Sequence, residues 1–176
     1  YMKRYSHLNG SVEESYIVSH LLLAQDKYIQ SFLGTRLFTK LKNDIAGGTI
    51  TGNYQVLLET YVRKCTLWWG MVEMIPSLYV RLDNGGLVIR TSEDTTPIGT
   101  QDLHREIDRA RTNAQFYTER MIDYLCNNSA LFPEYSLAEG AEMGAEKKAY
   151  FIGGMEISQG AKYTKERERY SWILDR

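Results

Sequence analysis

Cysteine is scarce in this chain of 176 residues. Cys65 and Cys126 lie far apart and in no C-x-x-C arrangement, so neither a disulfide framework nor a zinc knuckle is expected and the compartment reads as reducing. Histidine is nearly as rare, with His7, His20 and His104 in three separate segments and no paired ligand spacing. There is no apolar run of about 18 residues, and the first residues lack a basic, apolar, small-residue signal pattern, so neither membrane insertion nor secretion is expected. The sequence opens on Tyr1, and a few starting residues ahead of it are expected. An excess of one charge is also missing. Lys+Arg total 21 against 22 for Asp+Glu, a net charge of -1, which argues against a generally basic, nucleic-acid-coating surface while leaving local patches open.

What is present is a globular composition, 43% apolar and 24% charged, enough for one ordinary domain and an appendage. The 13 tyrosines and 12% aromatic content exceed what one small core needs, which points some rings toward contacts between chains.

The periodicity is helical over most of the length. After an extended arm, Ser11 and Glu14 form a candidate capping box, and Ile17, Leu21, Ala24, Tyr28, Ile29 and Phe32 mark a helix closed by Gly34. Thr35 is expected to cap a second helix with Leu37, Phe38, Leu41 and Ile45 apolar, stopped by Gly47-Gly48. After a polar loop over 49–53, a long helix carries Tyr54, Leu57, Leu58, Tyr61, Val62, Cys65, Trp68, Trp69, Val72 and Ile75, and Pro76 should stop or kink it. The period then becomes two around the turn Asp83-Asn84-Gly85-Gly86, which predicts a β-hairpin at about 78–90. Thr100 is a candidate cap for a further helix. Its seam of Leu103, Ile107, Ala110, Ala114, Tyr117, Met121 and Tyr124 steps 4, 3, 4, 3, 4, 3, with Phe116 off it; Asn127-Asn128 and Pro133 end the helix.

From Ser136 the composition changes. Glu139, Glu142 and Glu146 among glycines and alanines read as a flexible acidic linker, and residues 147–176 carry seven Lys/Arg against four acids with aromatics between. A short strand or hairpin is expected near Tyr150 to Ile157. A tail this apolar, with no room for a core of its own, calls for a partner surface.

No catalytic constellation emerges. A G-x-S-x-G elbow is absent, and Gly47-Gly48-Thr49-Ile50-Thr51-Gly52 lacks the lysine of a phosphate loop. Glu73, near the tryptophans, is the one carboxylate whose setting suggests partial burial, and a raised pKa with a role is the lesser reading of it. Cys65 reads as a small core residue. Trp68 and Trp69 stand about 100° apart on a helix, so one ring should pack inside and the other should be half exposed or pressed against a neighbouring subunit. Arg105, Arg109 and Arg111 alternate with Glu106 and Asp108, which fits a solvated face with internal pairs or salt bridges to an identical neighbour.

Two stretches carry a resemblance. Ala24-Gln25-Asp26-Lys27-Tyr28-Ile29-Gln30-Ser31-Phe32-Leu33-Gly34-Thr35-Arg36-Leu37-Phe38-Thr39-Lys40-Leu41, followed by Gly47-Gly48 and Tyr54 to Leu58, is one. Phe116-Tyr117-Thr118-Glu119-Arg120-Met121-Ile122-Asp123-Tyr124-Leu125-Cys126-Asn127-Asn128, followed by Phe132-Pro133-Glu134-Tyr135, is the other. Over roughly residues 12–135 the chain resembles the head-to-tail connector proteins of tailed bacteriophages, nearest to those of crAss-like and related Bacteroidetes phages. The resemblance implies a small helical protein that forms a ring, usually of about twelve copies, beneath the portal. With the periodicity above, the reading is a mainly α connector bundle (1–135) with a β-hairpin insertion, followed by an extended C-terminal tail (136–176) that the resemblance does not cover. It implies no enzyme activity and no cofactor. The expected partners are further copies, the portal protein and further ring or tail proteins, with genomic DNA only in passage and no membrane. The expected location is the head-to-tail interface of a virion assembled in the host cytoplasm.

The residues expected at subunit or portal interfaces are Trp69, Tyr79, Arg81, Arg90, Arg105 and Arg109 in the body. In the tail they are Tyr150, Phe151, Ile152, Tyr170, Trp172, Ile173 and Leu174. The rival readings are a soluble helical adaptor that binds one protein partner through its tail, and an enzyme built on Glu73 with a distant histidine.

Overall fold

The computed structural model describes residues 2–6, 12–83, 86–89, 99–136 and 142–148. The chain is mainly α. A short helix α1 (Met2–Tyr5) precedes α2 (Glu14–Ala24), which runs through a π-helical turn, Gln25–Ile29, directly into α3 (Gln30–Ala46). Helix α4 (Gly52–Val56) passes through a second π-helical stretch, Leu57–Val62, into α5 (Arg63–Tyr79). Two four-residue strands follow, β1 (Val80–Asp83) and β2 (Gly86–Ile89), antiparallel, with Val80 opposite Ile89 and Asp83 opposite Gly86. Then come the 28-residue α6 (Thr100–Asn127), a 3-10 turn (Ser129–Leu131) and α7 (Pro133–Ser136). Helix α5 is central, with α2 on one side and α6 on the other.

The main core joins both long arms and α6. Phe32, Leu33, Leu37, Leu57, Cys65, Met121, Leu125 and Phe132 are all but inaccessible, and burying a side chain of this size is worth about 1.5–3 kcal/mol. A smaller cluster of Met2, Ile17, Leu67 and Met74 closes the other end of α5, with Trp68 packed against both clusters.

Several boundaries differ from those the sequence predicts. Met2–Tyr5 is helical rather than extended, held by the Ser6 amide and hydroxyl donating to the Met2 carbonyl. Helix α2 starts after Glu13, with no side-chain cap, and Ser11 of the expected capping box lies outside the described residues. Likewise Gly99, not Thr100, precedes α6. Pro76 does not stop its helix: α5 continues to Tyr79, because the ring falls in the last turn, where only the bond to the Val72 carbonyl is forfeited. The Ser77 hydroxyl also donates to the Glu73 carbonyl there.

Gly34 is the sharpest feature of the backbone. Its φ of 73° and ψ of 153° fall in a region open essentially to glycine alone, so the helix bends there as the sequence predicts. The bend frees an amide and a carbonyl, and a distant segment takes both. The Thr35 amide donates to the Met143 carbonyl at 3.0 Å, the Glu146 amide to the Ser31 carbonyl at 2.9 Å, and the Met143 amide to the Thr35 hydroxyl at 3.0 Å. Thr35 therefore spends its oxygen on this strap instead of capping a helix. A Cβ on Gly34 would stand 3.0 Å from the Ala145 amide nitrogen. Residues 143–146 of the stretch read as a flexible linker are thus docked on the body.

Candidate interaction surface

The polar groups inside the body knit helices together. Trp69 Nε1 donates to the Thr118 hydroxyl at 3.0 Å, and that hydroxyl donates to the Ala114 carbonyl at 2.8 Å, so one fully buried threonine satisfies an indole from the next helix. Trp69 also stacks on Tyr28, with ring centroids 4.0 Å apart. This corrects the assignment of Trp69 to a subunit interface: it is 3% exposed in its own chain, and Trp68 is the half-buried ring of the pair. Thr118 carries no periodic signal; only its place between Ala114 and Met121 hints at an inward position.

Glu73 holds α2's end to α5. Its Oε1 accepts from Lys27 Nζ at 2.8 Å and from the Tyr28 hydroxyl at 2.6 Å. Burial opposes its charge, but these two hydrogen bonds and the Lys27 charge outweigh burial and hold the carboxyl below its ordinary value, which goes against the lesser reading of a raised pKa. The same contacts raise Lys27, chiefly through the bond to Glu73. His20 Nδ1 lies 2.8 Å from the Tyr16 carbonyl, to which it donates, its ring packs on Tyr16, and its nearness to Glu73 adds a smaller electrostatic pull in the same direction as Lys27. A carboxylate held ionised by a lysine is suited to fastening two helices. Among the described residues no group of three or more His, Cys, Asp or Glu is arranged to hold a metal ion, and no helix is long and apolar enough to cross a membrane.

At the far end of the bundle, Tyr54 donates to Glu134 at 2.8 Å. Burial, then that carboxylate, pushes its pKa up to about 12. Burial likewise pushes the Cys65 thiol up to about 12, which makes it the inert core thiol the sequence suggests, whereas Cys126 is exposed. The Tyr135 hydroxyl is buried, and burial together with the neighbouring Cys126 thiol raises its pKa.

Of the remaining expected interface residues, Arg105 and Arg109 lie one turn apart on the exposed face of α6. They pair within that helix, Arg105 with Asp102 at 3.1 Å and Arg109 with Glu106 at 3.9 Å. Tyr79 is half-buried at the end of α5. Arg81 belongs to β1, and only its backbone is described. Arg90, Tyr150, Phe151, Ile152, Tyr170, Trp172, Ile173 and Leu174 lie outside the described residues.

Periodicity set Phe116 off the α6 seam but did not anticipate the other large apolar side chains left at the surface. Phe116 on α6 is 56% exposed, touching Tyr117 edge-on, and Ile45, Val56 and Leu131 are exposed elsewhere on the body. On α2, Val18 and Leu22 are about half exposed, at 50% and 54%, with Leu23 at 48%.

Residues 29–143, well over half of the chain, match DUF6712, a family of unknown function. The chain belongs to this family. No curated protein and no solved structure matches it. The family's span runs from the π turn before α3 to Met143, where the strap meets the Gly34 bend. The Thr35–Met143 hydrogen bonds therefore lie within the DUF6712 region, while Ala145 and Glu146 of the same strap lie just past it.

Proposed function

We propose that this DUF6712 chain is a structural virion protein of a tailed bacteriophage, a subunit of the head-to-tail ring that lies below the portal and continues the DNA channel toward the tail. The observation that carries the reading is the exposed set Phe116, Ile45, Val56 and Leu131 on a body whose own core is already full. Side chains of this kind suit lateral contacts between copies. The mixed-sign face of α6, with Arg105 and Arg109, can complement a copy of itself at the rim of such a contact. In this arrangement the insertion at about 78–90, with Tyr79, Arg81 and Arg90, reaches an adjacent copy or ring, since an isolated two-stranded ribbon is marginal in water. The segment of Tyr170, Trp172, Ile173 and Leu174 docks on the portal or on a further ring protein. A near-neutral chain suits a passage for DNA, because many phosphate contacts would hold the genome and slow its exit.

The resemblance over residues 12–135 supports the same reading. Electron microscopy of the protein alone and mixed with its cognate portal tests it. Closed rings of about twelve copies are expected on the portal, and Phe116→Asp should abolish them while the variant stays folded. A stable monomer that ignores the portal overturns the proposal and favours the adaptor that binds one partner through its tail.

A further inference from the structure

Ser31 and Thr35 stand four positions apart, the spacing at which an unbroken α-helix pairs the carbonyl of one with the amide of the other. At the Gly34 break the strap takes the place of that one bond and answers both ends of it. The Met143 carbonyl accepts from the Thr35 amide, and the Glu146 amide donates to the Ser31 carbonyl. The Thr35 hydroxyl adds a third point by accepting from the Met143 amide. Glycine keeps this slot open, since a Cβ at position 34 would stand 3.0 Å from the Ala145 nitrogen and 3.3 Å from its Cβ.

Two observations separate the slot from the segment lying in it. The bend is anchored by side chains on both sides, Phe32 and Leu33 ahead of it and Leu37 and Leu41 after it, all at most 3% exposed in the main core. The core therefore holds the bend without help from the strap. The strap, for its part, gives that core little: Ala145 packs against it and Met143 is half-buried, while Glu142, Gly144, Glu146 and Lys147 are exposed. Ser31 and Thr35 are themselves only half-buried, so water can take over the bonds the strap makes. Segments with few buried apolar contacts and accessible hydrogen bonds open at a small fraction of the free energy of global unfolding.

We propose that residues 142–148 are a releasable latch, which leaves the Gly34 slot while the helix stays bent and the bundle stays folded. Closed, the latch roots the chain beyond Glu146 beside Ser31. Open, the nearest upstream anchor among the described residues is α7, whose Tyr135 is buried, and the ten positions from Ser136 to Glu146 add about 33 Å of extended reach. A partner that binds the following residues at the longer reach draws the latch open, and one that binds them close to the body keeps it shut.

Hydrogen exchange on the full chain, read amide by amide by NMR, tests the latch. Corrected for intrinsic rates, the Thr35 and Glu146 amides should exchange about a hundredfold or more faster than those of Leu41, Met121 and Leu125, at a rate that low urea leaves unchanged. Exchange at the core rate would mean that the strap leaves only when everything unfolds, which overturns the proposal. Glu146→Pro removes the amide that donates to Ser31. It should speed Thr35 exchange by about a further tenfold while Leu41, Met121 and Leu125 keep their rates. Acceleration of Leu41 along with Thr35 would show that the strap is needed to hold the bend, and unchanged Thr35 exchange would show that the two ends do not act together; either result overturns the latch. These rates are read with no partner present, so the outcome is separate from whether the protein forms a ring.

Discussion

Helices α2 and α6 flank the same central helix and finish their outer faces in opposite ways. On α6 the inward residues Ala110, Ala114, Thr118, Met121 and Leu125 are buried, and the outward side carries Asp102–Arg105, Glu106–Arg109 and Asp108–Arg111 pairs three residues apart. Along that charged stripe the helix completes its own surface in water, and Phe116 is the large apolar side chain it leaves exposed. Helix α2 has almost no charge with which to do so and turns three aliphatic side chains outward. The contrast separates two kinds of surface residue. A charged stripe that pairs within its helix asks nothing of a partner, whereas an aliphatic stripe needs covering. Arg105 and Arg109, conspicuous in the sequence, are thus less demanding of a neighbour than Leu22, which is inconspicuous.

The comparison can be broken most forcefully at the α5–α6 seam. Thr118→Val keeps the volume but leaves the Trp69 indole N–H buried and unpaired, and should cost about 1–3 kcal/mol in urea unfolding. Thr118→Ser, which keeps the hydroxyl, should cost clearly less. A valine variant as stable as the parent would mean that the buried hydrogen bond contributes nothing to the seam.

On the α2 side the corresponding fastening is ionic and therefore depends on pH. Glu73 has a folded pKa below its ordinary value of 4.5, so its contribution is complete above that value and is lost as the pH falls through the folded pKa. Lys27 is more than half exposed, and solvent screening limits the effect to about 1 kcal/mol. Glu73→Gln should remove that part of the acid-side slope in thermal melts between neutral pH and the acid limit. An unaltered slope would show that Lys27 and Tyr28 do not hold the carboxylate in solution. The smallest effect belongs to the outer face of α6: Arg105→Ala should change stability by no more than about 0.5 kcal/mol, and a larger loss would show that the face is not self-sufficient.

Much of the fold was legible where spacing alone decides it. The 4, 3 alternation of α6, the glycine bend at Gly34 and the stop at Gly47-Gly48 all depend on local geometry that a sequence records. The failures have a shared physical origin in contacts distant along the chain. The apolar helix neighbours of Glu73 leave a raised pKa open, but the direction is set by Lys27 and Tyr28, 46 and 45 residues away. Which of Trp68 and Trp69 points inward depends on Thr118, 49 residues from Trp69. The acidic stretch after Ser136 has the composition of a linker, yet a helix break far upstream offers its backbone two hydrogen-bonding groups, and composition cannot register that offer. Thr35 was misread for the same reason.

The wide turn at Gln25–Ile29 has a consequence for how α2 is aimed. It holds one residue more than an ordinary turn, so everything ahead of it is rotated by about 100° from where an uninterrupted helix would place it. Deleting a single residue there would swing Leu22 and Val18 around the axis and drag Ile17 out of its cluster. The compass bearing of the whole N-terminal segment hangs on that one supernumerary position.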